Sequence, residues 1–332
     1  MDTHLKSTFR RHVLLACAGV AFAGAPAWAA DAYPSKPIRL VVPFAAGGPT
    51  DVVARMLAEK MGASLKQPVV VDNRGGAGGA LGTDLVAKAT PDGYTIGLAT
   101  ASTHEFSPAC AKEPPYHPVK DFEMVGIIAT TPSMLFVKSD SPYAGLKELL
   151  AASRKDPGKI TWGTPGACSN THFLVELVNR SGNGKIAPVP YRGNSQANTD
   201  LIGGVLTMGS DAVTPATIGL IRAGQIRPVA LTSRSNIDLL KAVPTYAEQG
   251  VNIGAFTIWQ GLVAPAKASP EVVRKLNASL RQALADPVLR SKWIEAGITP
   301  YPDNSPEKMR AHVQEGYDGS RKLAQELGIT AN

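Results

Sequence analysis

The chain has 332 residues, 44% of them hydrophobic and 18% charged, which suits a folded protein with enough chain for two cores rather than one. Its formal charge of +7 comes from dispersed Lys and Arg, which excludes a nucleic-acid footprint and leaves only a general attraction for anions. Beyond the first segment, no stretch approaches the ~20 apolar residues of a membrane span, so no direct membrane insertion is expected.

Residues 1–29 read as an export signal that is removed. Lys6, Arg10 and Arg11 supply the positive start, residues 13–23 the apolar middle, and Ala27-Trp28-Ala29 a small-x-small cleavage site. The run Leu14-Leu15-Ala16-Cys17 loosely resembles a lipoprotein box, but too little apolar sequence precedes it, so cleavage is expected after Ala29. Cys110 and Cys168 then remain, in a compartment that permits disulfides. Pairing and two isolated thiols both stay open, and the lack of any paired spacing favours the thiols.

From Pro37 onward strand-like and helix-like stretches alternate, the pattern of an α/β protein with largely parallel sheets. Residues 38–42 read as a strand. It runs through Pro43-Phe44-Ala45-Ala46-Gly47-Gly48-Pro49-Thr50-Asp51 into a helix whose expected buried stripe is Val52, Val53, Met56, Leu57 and Met61. Gly47 and Gly48 leave room for a ligand at the main chain, and the helix start turns unpaired N–H groups and a positive dipole end towards it. The plainer interpretation is a turn with Thr50 capping the helix. Residues 69–71 form a second strand before a second glycine-rich crossing, Asn73 to Gly79. A third strand, 94–99, ends in the polar loop Thr100-Ala101-Ser102-Thr103-His104. Residues 134–137 carry the chain to a second half, where the design repeats. Ile160 to Gly163 leads into Thr164-Pro165-Gly166-Ala167-Cys168-Ser169-Asn170-Thr171-His172, with Ser169 or Asn170 as helix cap. Further strands end at Asn194 and at Gly209-Ser210-Asp211. Residues 256–263 return to the first half, and helices follow over 270–285, 288–296 and 306–327.

Other chemistries fit poorly. An exported hydrolase would use Ser169 or Cys168 with His104 or His172 as base, but there is no G-x-S-x-G elbow. Gly47-Gly48-Pro49-Thr50 lacks the Lys of a phosphate loop, and Gly76-Ala77-Gly78 is followed by Leu81 where a dinucleotide fingerprint needs Gly or Ala. The six histidines show no metal-ligand spacing. No enzyme activity, cofactor or metal is therefore expected.

Several motifs together resemble the Bug-type solute-binding proteins, the receptors of tripartite tricarboxylate transporters. They are Phe44 to Asp51, Asn73 to Gly79, Pro91-Asp92-Gly93-Tyr94-Thr95, Tyr191-Arg192-Gly193 with Asp200-Leu201-Ile202-Gly203-Gly204, Val243 to Glu248, and Trp259 to Pro265. The resemblance implies a two-lobed periplasmic binding protein of type II, a flytrap whose lobes are mostly parallel sheets flanked by helices. Residues 30–132 and 256–332 would form one lobe and residues 133–255 the other. It implies a monomer that binds a small carboxylate (a di- or tricarboxylate, an amino acid or an aromatic acid) and hands it to the transporter's membrane subunits; an adaptor for a sensor kinase is the alternative. Carried over by position, the first ligand set falls on Phe44, Ala46, Gly47, Thr50 and Asp51, with Ser102 and Thr103 beside it. The second falls on Gly166, Ser169, Asn170 and Thr171, with Asn194 and Asp211 nearby. Cys168 stands where a small residue is expected. Asp51 and Asp211 are negative, so each must cap a helix, receive hydrogen bonds, or meet an amino or hydroxyl group on the ligand. Phe44 and Trp259 are the aromatics placed near the cleft.

Overall fold

The computed structural model describes residues 33–330 other than 236, 255, 296 and 302, so the export signal and its cleavage site lie outside the described residues. The chain divides into residues 1–35 and residues 36–332, and every element below belongs to the second unit.

The first sheet begins with β1 (Ile38–Val42), α1 (Pro49–Leu65), β2 (Val69–Asn73), α2 (Ala80–Ala87) and β3 (Thr95–Thr100). A π-helical turn over Ser102–Phe106, where the sequence reads as a polar loop, continues into α3 (Ser107–Cys110) before β4 (Phe122–Thr131). Only Pro132 separates β4 from β5 (Ser133–Lys138), which opens the second sheet. There follow α4 (Leu146–Lys155), β6 (Thr161–Thr164), α5 (Asn170–Gly182), β7 (Ala187–Pro190), α6 (Asn194–Ile202), β8 (Met208–Ala212), α7 (Pro215–Arg222) and β9 (Ile226–Leu231). The chain returns to the first sheet as β10 (Ile258–Pro265), then gives α8 (Pro270–Ala285), α9 (Pro287–Glu295), β11 (Thr299–Pro300) and α10 (Pro306–Leu327).

The strand orders are β11-β4-β10-β3-β1-β2 and β7-β6-β8-β5-β9, which makes a two-lobed α/β fold with mixed sheets. Pairing is parallel where strand and helix alternate, as β1 with β2 and β3, and β6 with β7 and β8. The strands next to the crossings run the other way: β10 pairs antiparallel with β3 and β4, and β5 with β8 and β9. A strand arriving from the other lobe is not held to the geometry of a helical crossover, so alternation in sequence does not report its direction.

Each lobe has its own core. In the first, Val53, Leu57 and Met61 recur along α1 and are essentially inaccessible, while Val52 and Met56 of the expected stripe lie at its edge and stay half-buried; full burial of each Leu or Met contributes roughly 1.5–3 kcal/mol. This helix packs on α8, where Ser279 donates to the Met61 carbonyl and Lys60 pairs with Asp286 at 3.1 Å. In the second, Trp162 is fully buried and its indole N–H reaches Ser210 Oγ at 3.1 Å. The crossings are stitched together where Thr232 N donates to Ser133 O and Ser133 N to Thr232 Oγ1, both at 2.9 Å.

Cys110 and Cys168 form a disulfide with Cα atoms 6.0 Å apart, which corrects the preference for isolated thiols. Cys110 ends α3 in the first lobe and Cys168 sits in the loop before α5 in the second, so the bond joins the lobes. Spacing along the chain could not show it; two loops 58 residues apart meet only once the lobes face each other. They meet closely. Gly166 has φ +130°, and a Cβ there would lie 2.5 Å from Gly78 N; one on Gly78, at φ +64°, would lie 2.8 Å from the Ala167 carbonyl. Only glycine fits at either position.

Candidate functional site

Between the lobes is a cavity of about 50 Å³ lined by the ends of five segments. The first is the loop from β1 to α1. Gly48 caps α1 in an extended conformation without any side-chain hydrogen bond, so the first-turn N–H groups are left for something else. Phe44, Ala45, Gly48, Pro49 and Thr50 all line the cavity. Thr50 lies within the first turn rather than at the cap. Ala46 and Gly47 belong to the same loop but do not line the cavity.

Asp51 faces away from the cavity. Its carboxylate accepts from Gly47 N at 2.9 Å, Arg55 Nε at 2.9 Å and Asn73 Nδ2 at 2.9 Å, and Asn73 also donates to the Phe44 carbonyl. Burial alone would raise its pKa, but the bonds from Arg55, Gly47 and Asn73 outweigh that and hold the carboxyl below its ordinary range. Asp51 thus fixes the loop's shape from behind.

The second segment follows β3. Thr100, Ala101 and Ser102 line the cavity, whereas Thr103 is fully buried and accepts from Thr100 N at 3.0 Å. Ser102 Oγ donates to the Gly78 carbonyl at 3.2 Å and accepts from Asn170 N of the other lobe at 3.4 Å. The third segment is the loop into α5. Pro165, Asn170 and Thr171 face the cavity. Ser169 is buried and caps α5, accepting from His172 N, while Gly166 packs on Gly78. His172 Nδ1 accepts from Cys168 N at 3.0 Å, a packing role.

The fourth segment joins Asn194, at the start of α6, to Asp211 and Ala212, at the end of β8. Asp211 is only 3% exposed. Its Oδ1 accepts from Asn194 Nδ2 and, at 2.9 Å, from Ala212 N; its Oδ2 accepts from Asn198 Nδ2 at 3.1 Å. Burial pushes its pKa up to about 7, which these neutral donors offset only in part. The fifth segment is β10, which contributes Ile258 and Gln260.

The starts of α1, α5 and α6 therefore meet at one cavity, and among the described residues no Lys or Arg side chain lines it. Helix starts favour anions through their free N–H groups and dipoles, here without any competing cation. Among the described residues no group of three or more His, Cys, Asp or Glu side chains could hold a metal ion, and no helix is long and apolar enough to cross a membrane.

Residues 53–329 match the family model described as the tripartite tricarboxylate transporter family receptor. The chain belongs to this family. It is a family of receptors rather than enzymes. The receptor shares its fold with the periplasmic binding protein BugD, at a TM-score of 0.85 and 34% identity over 90% of this chain and 100% of that one. An R. palustris protein solved with adipate superposes at a TM-score of 0.84 with 32% identity, covering 90% and 99%. A Rhodopseudomonas palustris protein solved with bound malate gives 0.82 and 29%, covering 88% and 99%.

Of the site residues expected from sequence, Phe44, Thr50, Ser102, Asn170, Thr171, Asn194 and Asp211 line the receptor's cavity; Ala46, Gly47, Asp51, Thr103, Gly166 and Ser169 do not. The sequence reading missed Thr100, Ala212 and above all Gln260. Alternation along β10 separates Gln260 from Trp259. Trp259 faces the opposite side of the sheet, donating from its indole to Glu105 Oε1 at 2.6 Å beside a groove that also includes His312. A lone amide within the apolar run from Trp259 to Pro265 was the available signal.

Proposed function

We propose that the receptor captures a small carboxylate in the periplasm and delivers it to the membrane subunits of a tripartite tricarboxylate transporter. The observation that carries the reading is the meeting of three helix starts at a cavity that no described Lys or Arg side chain lines. Such a site binds an anion through fixed amides and hydroxyls, without the entropy of ordering long side chains. The acids held by two of the family's solved relatives, adipate and malate, support it. In this reading the export signal is cleaved near Ala29 and the mature protein acts as a monomer. Its lobes, 30–132 with 256–332 and 133–255, close about the crossings at Pro132 and before β10.

Thermal-shift screening of the mature protein against carboxylates, followed by calorimetry, tests the proposal. A ligand at 100 times its dissociation constant adds about 2.7 kcal/mol of stability, and the midpoint rises accordingly. Thr50→Ala with Thr171→Ala weakens that ligand by about tenfold or more. Unchanged affinity in the double variant would move the site elsewhere.

A further inference from the structure

The cavity has two unlike ends. The α1 and α5 starts, with Thr50, Ser102 and Thr171, offer donors. The other end offers acceptors. Asn194 Oδ1 and Gln260 Oε1 are both buried without a hydrogen-bond partner, and Asp211 lies beside them among the lining residues. The Asn194 amide is oriented by Asp211: its Nδ2 donates to the carboxylate, and turning the amide over would set oxygen against oxygen. Gln260 is 3% exposed. Buried acceptors left unpaired are costly, and a site that keeps two of them is built around something that donates.

A carboxylate cannot serve there, since it has no proton to give. A second carboxylate, as in an unsubstituted dicarboxylate, would face Asn194 Oδ1, Gln260 Oε1 and Asp211 with like charge and lone pairs. A hydroxyl gives one proton to three acceptors. An ammonium gives three, one for each, and its charge balances Asp211, whose own partners Asn194, Asn198 and the Ala212 N–H are all neutral.

We infer that the ligand is an amino acid, its carboxylate at the α1 and α5 starts and its ammonium among Asn194 Oδ1, Gln260 Oε1 and Asp211. This rests on the carboxylate reading above and narrows it. The acceptor set also makes Gln260 a specificity-determining residue, because it is the member contributed by β10 rather than by the second lobe.

Matched triplets test the assignment by calorimetry on the mature protein: alanine, lactate and propionate; aspartate, malate and succinate; glutamate, 2-hydroxyglutarate and glutarate; phenylalanine, phenyllactate and phenylpropionate. Within the triplet of the right length, the amino acid binds about tenfold or more tighter than either analogue, because losing the donor strands buried acceptors. Gln260→Met, close to glutamine in length but without the amide, narrows that gap, with its unliganded melting temperature confirming that it folds. A hydroxy acid or plain acid binding as tightly as its amino counterpart overturns the inference while sparing the carboxylate reading. Silence across all twelve probes overturns both. A gap unchanged in folded Gln260→Met removes Gln260 from the acceptor set.

Discussion

Asp51 and Asp211 sit at opposite rims of the cleft, each 3% exposed, yet their carboxyls are driven in opposite directions. Asp51 is met by a guanidinium, a main-chain N–H and an amide, and stays ionised as the fastener of the first rim. Asp211 is met by two amides and one N–H, with no cation, and so holds a costly charge facing the cavity. Surface exposure is the same in both, but Asp211 is packed far more deeply and bears the larger desolvation cost. The fold also supplies a compensating cation to Asp51 and none to Asp211.

The largest test of this contrast is pH. For Asp211 the folded pKa, about 7, lies above its ordinary value of 3.8. Its contribution to stability is therefore complete below the unfolded pKa and lost as pH rises through the folded one. Wild type measured against Asp211→Asn by urea denaturation should lose relative stability on the order of 4 kcal/mol between about pH 4 and about pH 8. Taking the difference between the two proteins removes the contribution of Glu105, which burial also pushes to about 7. A flat difference would mean that the two aspartates are alike after all.

The rims are also joined covalently. Cys110→Ser, or reduction of the wild type, should cost about 4 kcal/mol by the same denaturation assay, the figure for a loop closed over a separation of 58 residues. Asp51→Asn should cost about 2 kcal/mol, less than a fully buried pair because Arg55 is 56% exposed, and should weaken ligand binding by releasing the loop from Asn73. Its pH dependence has the opposite sign to that of Asp211: Asp51 stabilises above its unfolded pKa, and that stability is lost as pH falls through its lowered folded pKa.

Two smaller substitutions sharpen the comparison at the helix starts. Ser169 caps α5, so Ser169→Ala should cost about 1 kcal/mol, seen as a lower melting temperature. Gly48 caps α1 at φ −79° with no side-chain hydrogen bond, and the nearest atom to an added Cβ is 3.5 Å away. Gly48→Ser should therefore add a few tenths of a kcal/mol while weakening the ligand, because the new hydroxyl competes for the same N–H groups. Calorimetry alongside melting separates the two effects.

Where local chemistry decides, the sequence was explicit. The helices Pro270–Ala285 and Pro306–Leu327 each begin with a Ser cap followed by Pro, and a regular apolar stripe sets their length. The loops after β1, β3 and β6 announced the cleft through small and polar residues at strand ends. What stayed hidden depended on partners distant in sequence. The antiparallel course of β10 depends on where the returning chain inserts. The turn over Ser102–Phe106 is held by Thr100, Tyr116 and Trp259 from several sides, including Tyr116 OH to the Thr103 carbonyl at 2.7 Å. Gln260 was obscured because β10 is buried from Trp259 to Pro265, so no alternation of exposure marked its face. Asp51 fell on the ligand loop by position, and only the placement of Arg55 and Asn73 turns it outward.

The disulfide closes a covalent ring that contains the crossing at Pro132. A protease that cut that crossing, or any exposed bond in residues 111–167, would leave a single molecule as long as Cys110 and Cys168 stay oxidised, and two fragments once they are reduced. Outside the ring, the stretch between β9 and β10 has no such safeguard. Of the two crossings between the sheets, only the first can be nicked without the molecule parting.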